Sequence, residues 1–467
     1  MAVAVVASLV GGVVTVSADA AAAAPSRLAD DFNGDGYSDL AIGMPDRTIN
    51  GKSRAGAVIV AFGSARGLTA KRVFLSQNSA GVPGTSETDD IFGGSLASRD
   101  LDGDGYADLL IGSEGESVPG ASISGAVTVL WGGVSPFRSG LLLPSGPSFP
   151  SRMFGVDIAV GDFVGDSAAD VAVGGATGVR LYPGPFTRAK APSGHAIPAE
   201  EPGGWNIAAG NFTGDGKDEL AVVLQRATVI YGQQPGTTDI ATFTPQARRD
   251  GGNAVAAGDL DGDGRDDLAV GTSDPRLWPN GRPDPSGGAG YVTLYYGTAD
   301  GAGGIEAARH IYHQNTAGIP GGNERQDNFG AALAIGDITG DHHAELAVGI
   351  PWEALGGGNQ AGDVLVLRGT TNGLTTTNAA HYTQDTPGIP GTVEGADVFG
   401  SQVRLTDYNG DGKADLAVSA PYEDEGNGAV WQLRGTGSGL STSTVSYFGP
   451  KEFRLPAGSG IGTTLLD

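Results

Sequence analysis

The chain has 467 residues, including 80 Gly and 26 Pro, and its 53 acidic against 28 basic side chains give a net charge of −25. Because phosphates and anionic lipids attract Lys and Arg, this balance excludes nucleic acid as a main partner and disfavours electrostatic attachment to a membrane surface. The absence of Cys excludes a disulfide scaffold, Cys-ligated zinc and a thiol nucleophile.

The first segment, residues 1–26, has the composition of an export signal. An apolar run from Met1 to Val16 is followed by small residues that suit cleavage. No basic residue precedes the run, which is shorter than the ~20 residues of a spanning helix, so a membrane anchor and a simple tail are the weaker alternatives. We predict a signal peptide or N-terminal leader, a secreted protein, and no integral membrane segment beyond this leader.

The remaining chain, residues 27–467, consists of seven copies of one acidic phrase, Asp-x-Asx-Gly-Asp-Gly-x-x-Asp followed by an apolar run. The regular copies begin at Asp31, Asp100, Asp259 and Asp407, and the degenerate ones at Asp162, Asn211 and Asp337. We number these acidic loops 1–7 in chain order, and the first Asp or Asn of each loop is its position 1. Self-similarity at a long period is typical of repeat architectures.

Each acidic loop lies within a larger repeat of strand-forming segments. A Phe-Gly phrase precedes several loops, as at Phe92 and Phe399, and β-branched alternating runs such as Ala126–Leu130 follow them. No sustained helical period is present. Four short strands in each of seven repeats predict an all-β, seven-bladed β-propeller with four-stranded blades. A β-solenoid is the weaker alternative, since its repeats are usually shorter and more uniform.

The two ends of the repeat region complement each other. Ser459–Leu465 aligns with the opening of a repeat at Phe399, but the chain stops before an acidic loop, whereas the first repeat begins at Leu28 just before its loop. We therefore predict a ring closed by N- and C-terminal segments that share one blade, which removes an open sheet edge.

Four acidic loops have the oxygen ligands that Ca²⁺ prefers, with carboxylates or amides at positions 1, 3, 5 and 9 and a backbone carbonyl at position 7. A hairpin turn needs one Asp or Asn, and gives no reason for several acids that repel one another without a cation. We predict about four Ca²⁺ sites, formed by Asp31, Asn33, Asp35, Tyr37 and Asp39; by Asp100, Asp102, Asp104, Tyr106 and Asp108; by Asp259, Asp261, Asp263, Arg265 and Asp267; and by Asp407, Asn409, Asp411, Lys413 and Asp415.

The other three loops depart from this pattern. Loop 3, residues 162–170, has Val164 at position 3 and Ser167 in place of the Gly at position 6, so we expect it to be empty. Loops 4 and 6, residues 211–219 and 337–345, have Thr at position 3 and Glu at position 9, and their occupancy stays open. The loops are not EF-hands, because position 12 is apolar.

The order Phe-Gly, acidic loop and then Gly-Met-Pro (43–45), Gly-Ile-Pro (349–351) or Ser-Ala-Pro (419–421) resembles the FG-GAP repeats of integrin α-chain heads and of bacterial secreted FG-GAP proteins. The resemblance runs from about Leu28 to Leu465 and implies a seven-bladed propeller with calcium in hairpin loops on one face. A protein-binding role in the animal family is part of the resemblance. The chain has no Arg-Gly-Asp, so integrin function as such is not implied.

Another repeated segment, Gln-Asx-Ser/Thr-x-Gly-apolar-Pro-Gly, spans residues 77–84, 314–321 and 384–391. Its Gly and Pro fix a turn. We interpret this segment as a structural tie between blades.

The loops that follow each second strand vary most, and in a propeller they should lie on the face opposite the acidic loops. They contain Trp278, Trp352, Tyr422 and Glu423, which either bind a partner or cap blade junctions. We find no motif of a serine hydrolase, zinc protease or phosphate-binding loop. We predict a monomeric binding or adhesion module for an extracellular protein or glycan. The alternative is a propeller hydrolase with paired carboxylates at the ring axis.

Overall fold

The structure is a computed structural model that describes residues 28–117, 125–145, 153–198, 203–224, 226–234, 236–274, 284–299, 302–356 and 358–467. The predicted leader, residues 1–26, and Trp278 lie outside the described residues. The strands form seven antiparallel sheets of four strands each. The seven-bladed, all-β prediction is confirmed.

The blades follow chain order, and blade n contains acidic loop n. Blade 1 has β1 (Leu40–Met44), β2 (Ala57–Ala61), β3 (Arg72–Leu75) and β28 (Thr464–Leu465). Blade 2 has β4 (Ser95–Arg99), β5 (Asp108–Ser113), β6 (Ala126–Leu130) and β7 (Gly140–Leu143). Blade 3 has β8 (Ile158–Gly161), β9 (Asp170–Gly175), β10 (Gly178–Tyr182) and β11 (His195–Pro198).

Blade 4 has β12 (Gly203–Gly210), β13 (Glu219–Leu224), β14 (Ala227–Gly232) and β15 (Thr244–Asp250). Blade 5 has β16 (Ala254–Gly258), β17 (Asp267–Thr272), β18 (Tyr291–Tyr295) and β19 (His310–Tyr312). Blade 6 has β20 (Ala332–Gly336), β21 (Glu345–Ile350), β22 (Asp363–Arg368) and β23 (Thr375–Tyr382). Blade 7 has β24 (Val403–Thr406), β25 (Asp415–Ala420), β26 (Ala429–Thr436) and β27 (Gly439–Phe448).

Helix is confined, in the described part of the chain, to short turns. There are two 3₁₀ turns, Ile240–Thr242 and Ala302–Gly304, and one α-helical turn, Glu423–Gly426. None of the described helices is long and apolar enough to cross a bilayer.

The two middle strands of each blade form its core. In blade 2, for example, every residue of β5 and β6 is buried, because both faces of the sheet pack against neighbouring blades. Their Leu, Val and Ile side chains suit this pleated, fully buried position. The outer strands are partly exposed, as in β23, and the inner strands surround the ring axis.

Ring closure occurs where the sequence predicts it. The C-terminal strand β28 supplies the inner strand of blade 1 and pairs with β1, with Leu465 opposite Ile42 and Thr464 opposite Gly43. Across the same seam, Arg404 of blade 7 donates to Asp30 at 2.7 Å, and Asp30 also accepts a hydrogen bond from Ser98 of blade 2 at 2.5 Å. One blade is therefore shared by both ends of the repeat region.

The Phe-Gly phrase, where it occurs, connects a blade to the one before it. Phe92 forms a parallel bridge with Gly56, and Phe399 does so with Gly362, while both rings are fully buried. A Cβ atom on Gly56 would lie 2.1 Å from the Phe92 carbonyl oxygen, so only Gly permits this approach. The sequence analysis identified Phe-Gly but missed the partner Gly that stands just before the third strand.

The repeated Gln segment also joins blades, as expected. The amide nitrogens of Gln77, Gln314 and Gln384 each donate to a Glu carboxylate of the following blade, namely Glu116, Glu353 and Glu423, at 2.5, 2.6 and 2.5 Å. Glu423 is therefore buried and structural, rather than one of the exposed groups of its loop.

Candidate metal centres

Each acidic loop links an inner strand to the second strand, so the seven loops lie on one face of the ring. In six of them the position 1 carboxylate accepts hydrogen bonds from the backbone N–H groups of positions 4, 5 and 6. In loop 5, Asp259 accepts from Gly262 at 2.7 Å, Asp263 at 3.1 Å and Gly264 at 2.9 Å. Position 1 is thus the group around which the loop backbone folds.

The position 9 carboxylate connects the loop to the end of the third strand. Asp108 accepts from Leu101 N–H at 2.9 Å and from Gly132 N–H at 2.8 Å. Asp267 does the same with Leu260 at 2.9 Å and Gly297 at 2.8 Å. Since position 9 is also fully buried in loops 1 and 7, at Asp39 and Asp415, this acid is structural as well as a candidate ligand.

The remaining candidate ligands complete two compact carboxylate clusters. Oxygens of Asp100, Asp102 and Asp104 lie within 4.8 Å of one another, as do those of Asp259, Asp261 and Asp267. In loops 1 and 7, the position 3 amide instead donates to the position 9 acid, from Asn33 at 3.3 Å and from Asn409 at 3.1 Å. The geometry thus groups three of the predicted carboxylates in loop 2 and three in loop 5, while Asp108 and Asp263 lie outside these two clusters.

The residues at position 7 have a defined backbone contact in all four regular loops. Their N–H groups donate to the position 5 carboxylate at 3.3, 3.0, 2.9 and 3.1 Å, in the pairs Tyr37 to Asp35, Tyr106 to Asp104, Arg265 to Asp263 and Lys413 to Asp411. Their carbonyl oxygens stay predicted ligands.

The electrostatics of the loops favour a divalent cation. Burial raises the pKa of Asp39 to about 8, and repulsion from Asp31 and Asp35 adds to the rise against the hydrogen bonds that lower it. Burial likewise raises the pKa values of Asp108 and Asp267 to about 7, with neighbouring acids contributing. A bound cation would remove this penalty on the ionised forms. The carboxylate and amide oxygens assigned to these loops are hard donors, which suit a hard divalent cation.

The degenerate loops retain the backbone geometry with fewer ligands. In loop 3, Asp162 accepts from Gly165, Asp166 and Ser167, and Ser167 adopts the left-handed φ of 67° that Gly has elsewhere. His342 of loop 6 does so as well. The Gly at position 6 is therefore not essential for the turn. In loop 3 the missing element is an oxygen at position 3, where Val164 is buried.

Neighbouring acidic loops contact each other around the ring. The N–H of position 8 donates to the position 1 carbonyl of the preceding loop, for example from Ala107 to Asp31 and from Ala344 to Asp259, both at 3.0 Å. The side chain at position 7 lies over the position 4 Gly of the preceding loop. A Cβ on Gly34 would lie 2.3 Å from the Tyr106 ring, which explains the Gly at position 4.

Loop 2 differs, because Ala168 of the next blade is too small to cover Gly103. Arg188 reaches this loop instead: its Nε donates to Asp102 at 2.6 Å and an Nη donates to Asp104. The guanidinium also lies 5.7 Å from the Trp131 ring centroid. The sequence analysis missed Arg188, which lies far from the loop in the chain and in no repeated phrase.

Two cavities lie along the ring axis. One of 460 Å³ opens on the face opposite the acidic loops, and residues of all seven blades line it, including Asp157, Trp205, Asn253, Gln402 and Asp467. The second, of 560 Å³, lies toward the acidic loops and is lined in part by Arg99 and Arg404. Asp467 borders both cavities.

Loops on this opposite face expose aromatic side chains. Trp352 is 38% exposed and Tyr422 is 60% exposed, and each follows the end of a second strand. The sequence analysis placed these loops opposite the acidic ones, and the strand directions confirm it.

The fold and the loops thus define a class of protein: a seven-bladed β-propeller with an acidic loop in every blade. Models of the FG-GAP repeat match residues 28–60, 92–130, 251–295, 329–367 and 399–431, and a model of the FG-GAP-like repeat matches residues 211–270. The chain belongs to the FG-GAP repeat proteins.

Two relatives are similar to part of the chain. Mouse (Mus musculus) integrin alpha-8 is 40% identical over 87 residues, which is 18% of this chain and 8% of the integrin. Phosphatidylinositol-glycan-specific phospholipase D from Bos taurus is 28% identical over 150 residues, which is 31% of this chain and 17% of the phospholipase. The match therefore spans a small part of either relative's length.

A solved structure shares the overall fold. It is an Agrocybe aegerita lectin, described as recognising non-reducing terminal N-acetylglucosamine, with a TM-score of 0.50 and 15% identity over 92% of this chain and 94% of the lectin chain. At this identity the likeness supports the fold alone.

Replacing Gly34 with Ala should destabilise the ring more than replacing Gly103 with Ala. Both residues have the same backbone conformation, with φ of 74° and 75°, but only Gly34 lies under a ring from the next loop. The left-handed backbone costs each variant about 1–2 kcal/mol, and overpacking adds roughly 1–3 kcal/mol to Gly34→Ala alone. Chemical denaturation of both variants measures the difference, and equal losses would refute the contact between the loops.

Proposed function

We propose that the protein is a secreted, calcium-binding β-propeller that serves as a binding or adhesion module for an extracellular protein or glycan. The observation that carries this proposal is the pair of exposed aromatic residues, Trp352 and Tyr422, on loops of a rigid ring. Exposed loops on a rigid scaffold are the usual place for binding residues, and Trp and Tyr dominate binding energy at interfaces. The predicted leader, residues 1–26, supports export.

Calcium would be held in acidic loops 1, 2, 5 and 7, through the carboxylates and amides at positions 1, 3, 5 and 9. It would neutralise buried acids and connect the first and second strands of a blade. Because the loops contact each other around the ring, the ions would stiffen the whole face. Calcium thus has a structural role in this proposal, and the opposite face contacts the partner.

Removing calcium should lower the melting temperature. A ligand that binds only the folded state stabilises it by about 2.7 kcal/mol per site at a hundred times its dissociation constant. Thermal unfolding in EDTA and in excess Ca²⁺ measures this effect. Equal melting curves in the two conditions would eliminate calcium as a structural ligand.

Removing the carboxylate at position 5 should lower the melting temperature more in a regular loop than in a degenerate one. Asp263→Ala should lower the melting temperature in Ca²⁺ by more than Asp166→Ala, since loop 3 offers one ligand fewer. In EDTA the difference between the variants should largely disappear. If both variants lose the same stability in Ca²⁺, the ranking of the loops is wrong.

The binding face can be tested with the full chain as bait. Wild-type protein should retain an extracellular protein or glycan in the presence of Ca²⁺, and Trp352→Ala or Tyr422→Ala should weaken retention at least tenfold. Val134→Ala is a matched control, because Val134 is 80% exposed but lies near acidic loop 1, where Gly133 N–H donates to Phe32. Pull-down from extracellular material and a glycan array provide the readouts. Equal losses in all three variants would remove these aromatic residues from the binding face.

A propeller hydrolase is the second candidate, favoured by two carboxylates that line one polar axial cavity, those of Asp157 and Asp467. Burial raises the pKa of Asp157 to about 8, and repulsion from Asp467 adds to this rise, which would keep a proton available for a leaving group. However, Asp157 also accepts hydrogen bonds from Ile158 and Ile207 N–H, at 2.9 and 2.8 Å, and so connects blades 3 and 4. This second role fits a structural residue.

Hydrolysis can be separated from binding by one comparison. Extracellular polysaccharides incubated with wild-type protein should release reducing ends if the axial carboxylates act on them, and Asp157→Asn should abolish the release. Retention of a polysaccharide without any release would leave the binding function and exclude the hydrolase on that substrate.

A further inference from the structure

Three blade junctions share a second acidic arrangement, on the face opposite acidic loops 1–7. Each junction combines a Gln from the end of one blade with an Asp and a Glu of the next. We call these the junction sites. They are Gln77, Asp90 and Glu116 between blades 1 and 2; Gln314, Asp327 and Glu353 between blades 5 and 6; and Gln384, Asp397 and Glu423 between blades 6 and 7.

The Gln amide of each junction site is buried and only half satisfied. Gln77, Gln314 and Gln384 are 4%, 3% and 3% exposed, and each donates its Nε2 to the Glu carboxylate of its site. The amide oxygen Oε1 is buried in all three and has no hydrogen-bond partner among the described residues. A buried carbonyl oxygen without a partner is costly. Its recurrence at three equivalent places indicates a ligand for these oxygens.

The Asp side chain of each junction site is fixed by a backbone N–H group three residues earlier in the chain. Asp90 accepts a hydrogen bond from the N–H of Glu87 at 2.5 Å, and Asp327 and Asp397 accept equivalent bonds from Glu324 and Glu394 at 2.6 and 2.9 Å. Residues on both sides of each Asp have left-handed φ values, including the β-branched Ile91 at 60° and Val398 at 55°. Such a conformation is rare for β-branched residues.

The charge at the junction sites has little compensation within the described structure, where the His381 imidazole interacts with Glu353. No Lys or Arg there forms an ion pair with the Asp or Glu of any junction site. Burial raises the pKa of Glu116 and of Asp327 to about 7, and repulsion from the neighbouring acids adds to the rise. Burial raises the pKa of Glu423 to about 8, with Asp397 contributing. In each site the Asp and Glu carboxylates repel each other, and together with the free amide oxygen they form an oxygen-only ligand set that suits a hard divalent cation.

We propose that each junction site binds a divalent cation such as Ca²⁺ through its Asp and Glu carboxylates and its Gln Oε1. These ions would be separate from those of the acidic loops, at the opposite ends of the blades. In two sites the Glu directly follows an exposed aromatic residue, Trp352 before Glu353 and Tyr422 before Glu423. The ions would therefore fix the loops that present these two side chains.

Crystals of the full chain grown with Mn²⁺ test the proposal directly, because anomalous scattering locates each ion. We expect a peak between Gln384 and Glu423 and peaks at the two equivalent sites. Peaks in the acidic loops alone, or density at the junctions without anomalous signal, would overturn the proposal in favour of ordered water. This outcome would leave the loop sites unaffected.

Ion counting by native mass spectrometry in Ca²⁺ gives an independent measurement. The triple variant Glu116→Gln, Glu353→Gln, Glu423→Gln should carry three ions fewer per chain than wild type. Glu425→Gln, an exposed change in the same loop as Glu423, is the control and should carry as many as wild type. Equal counts in all proteins would refute the junction sites. If the triple variant does not fold, Glu423→Gln alone should lose one ion.

Discussion

The fold depends on the acid at position 9 of each acidic loop, which is buried at one end of every blade and accepts hydrogen bonds from backbone N–H groups. The position 1 acid closes the loop on itself, and the position 9 acid fixes that loop to the third strand, as Asp108 does through Leu101 and Gly132. A buried carboxylate is stable only when its oxygens accept hydrogen bonds or face a cation. In the four regular loops, the same carboxylates therefore fix the loop shape and supply the candidate metal ligands.

Contacts between blades follow a different rule, because they need a close approach of backbones. The Phe-Gly carbonyl and N–H groups meet a Gly of the preceding blade, where a side chain would clash, as at Gly56 and Phe92. The Gln segment adds a buried amide-to-carboxylate bond at three of these junctions. The high Gly content thus serves the packing of blades as much as the turns within them.

The sequence predicted those features that depend on short local patterns recurring along the chain. Blade number, strand order, ring closure and the grouping of Asp100, Asp102 and Asp104 all follow from a local pattern that recurs. The contacts that it did not predict join distant residues through side chains that occur once, such as Arg188 at loop 2. The role of Glu423 was also missed, because a loop acid next to Tyr422 has no local feature that distinguishes a buried partner of Gln384 from an exposed charge.

Ring closure through β28 has a mechanical consequence. Only two residue pairs join β28 to β1, whereas β4 and β5 share five pairs. β28 and β1 are antiparallel, with residue 465 opposite residue 42. The C-terminal end of β28 therefore lies next to the N-terminal end of β1. Tension between residues 28 and 467 would open this strand pair from that end, one hydrogen bond at a time. The ion pair between Arg404 and Asp30 lies next to this strand pair and would resist the tension first. Blade 1 is therefore the point where the ring would yield first under force, while the other six blades would keep their shape.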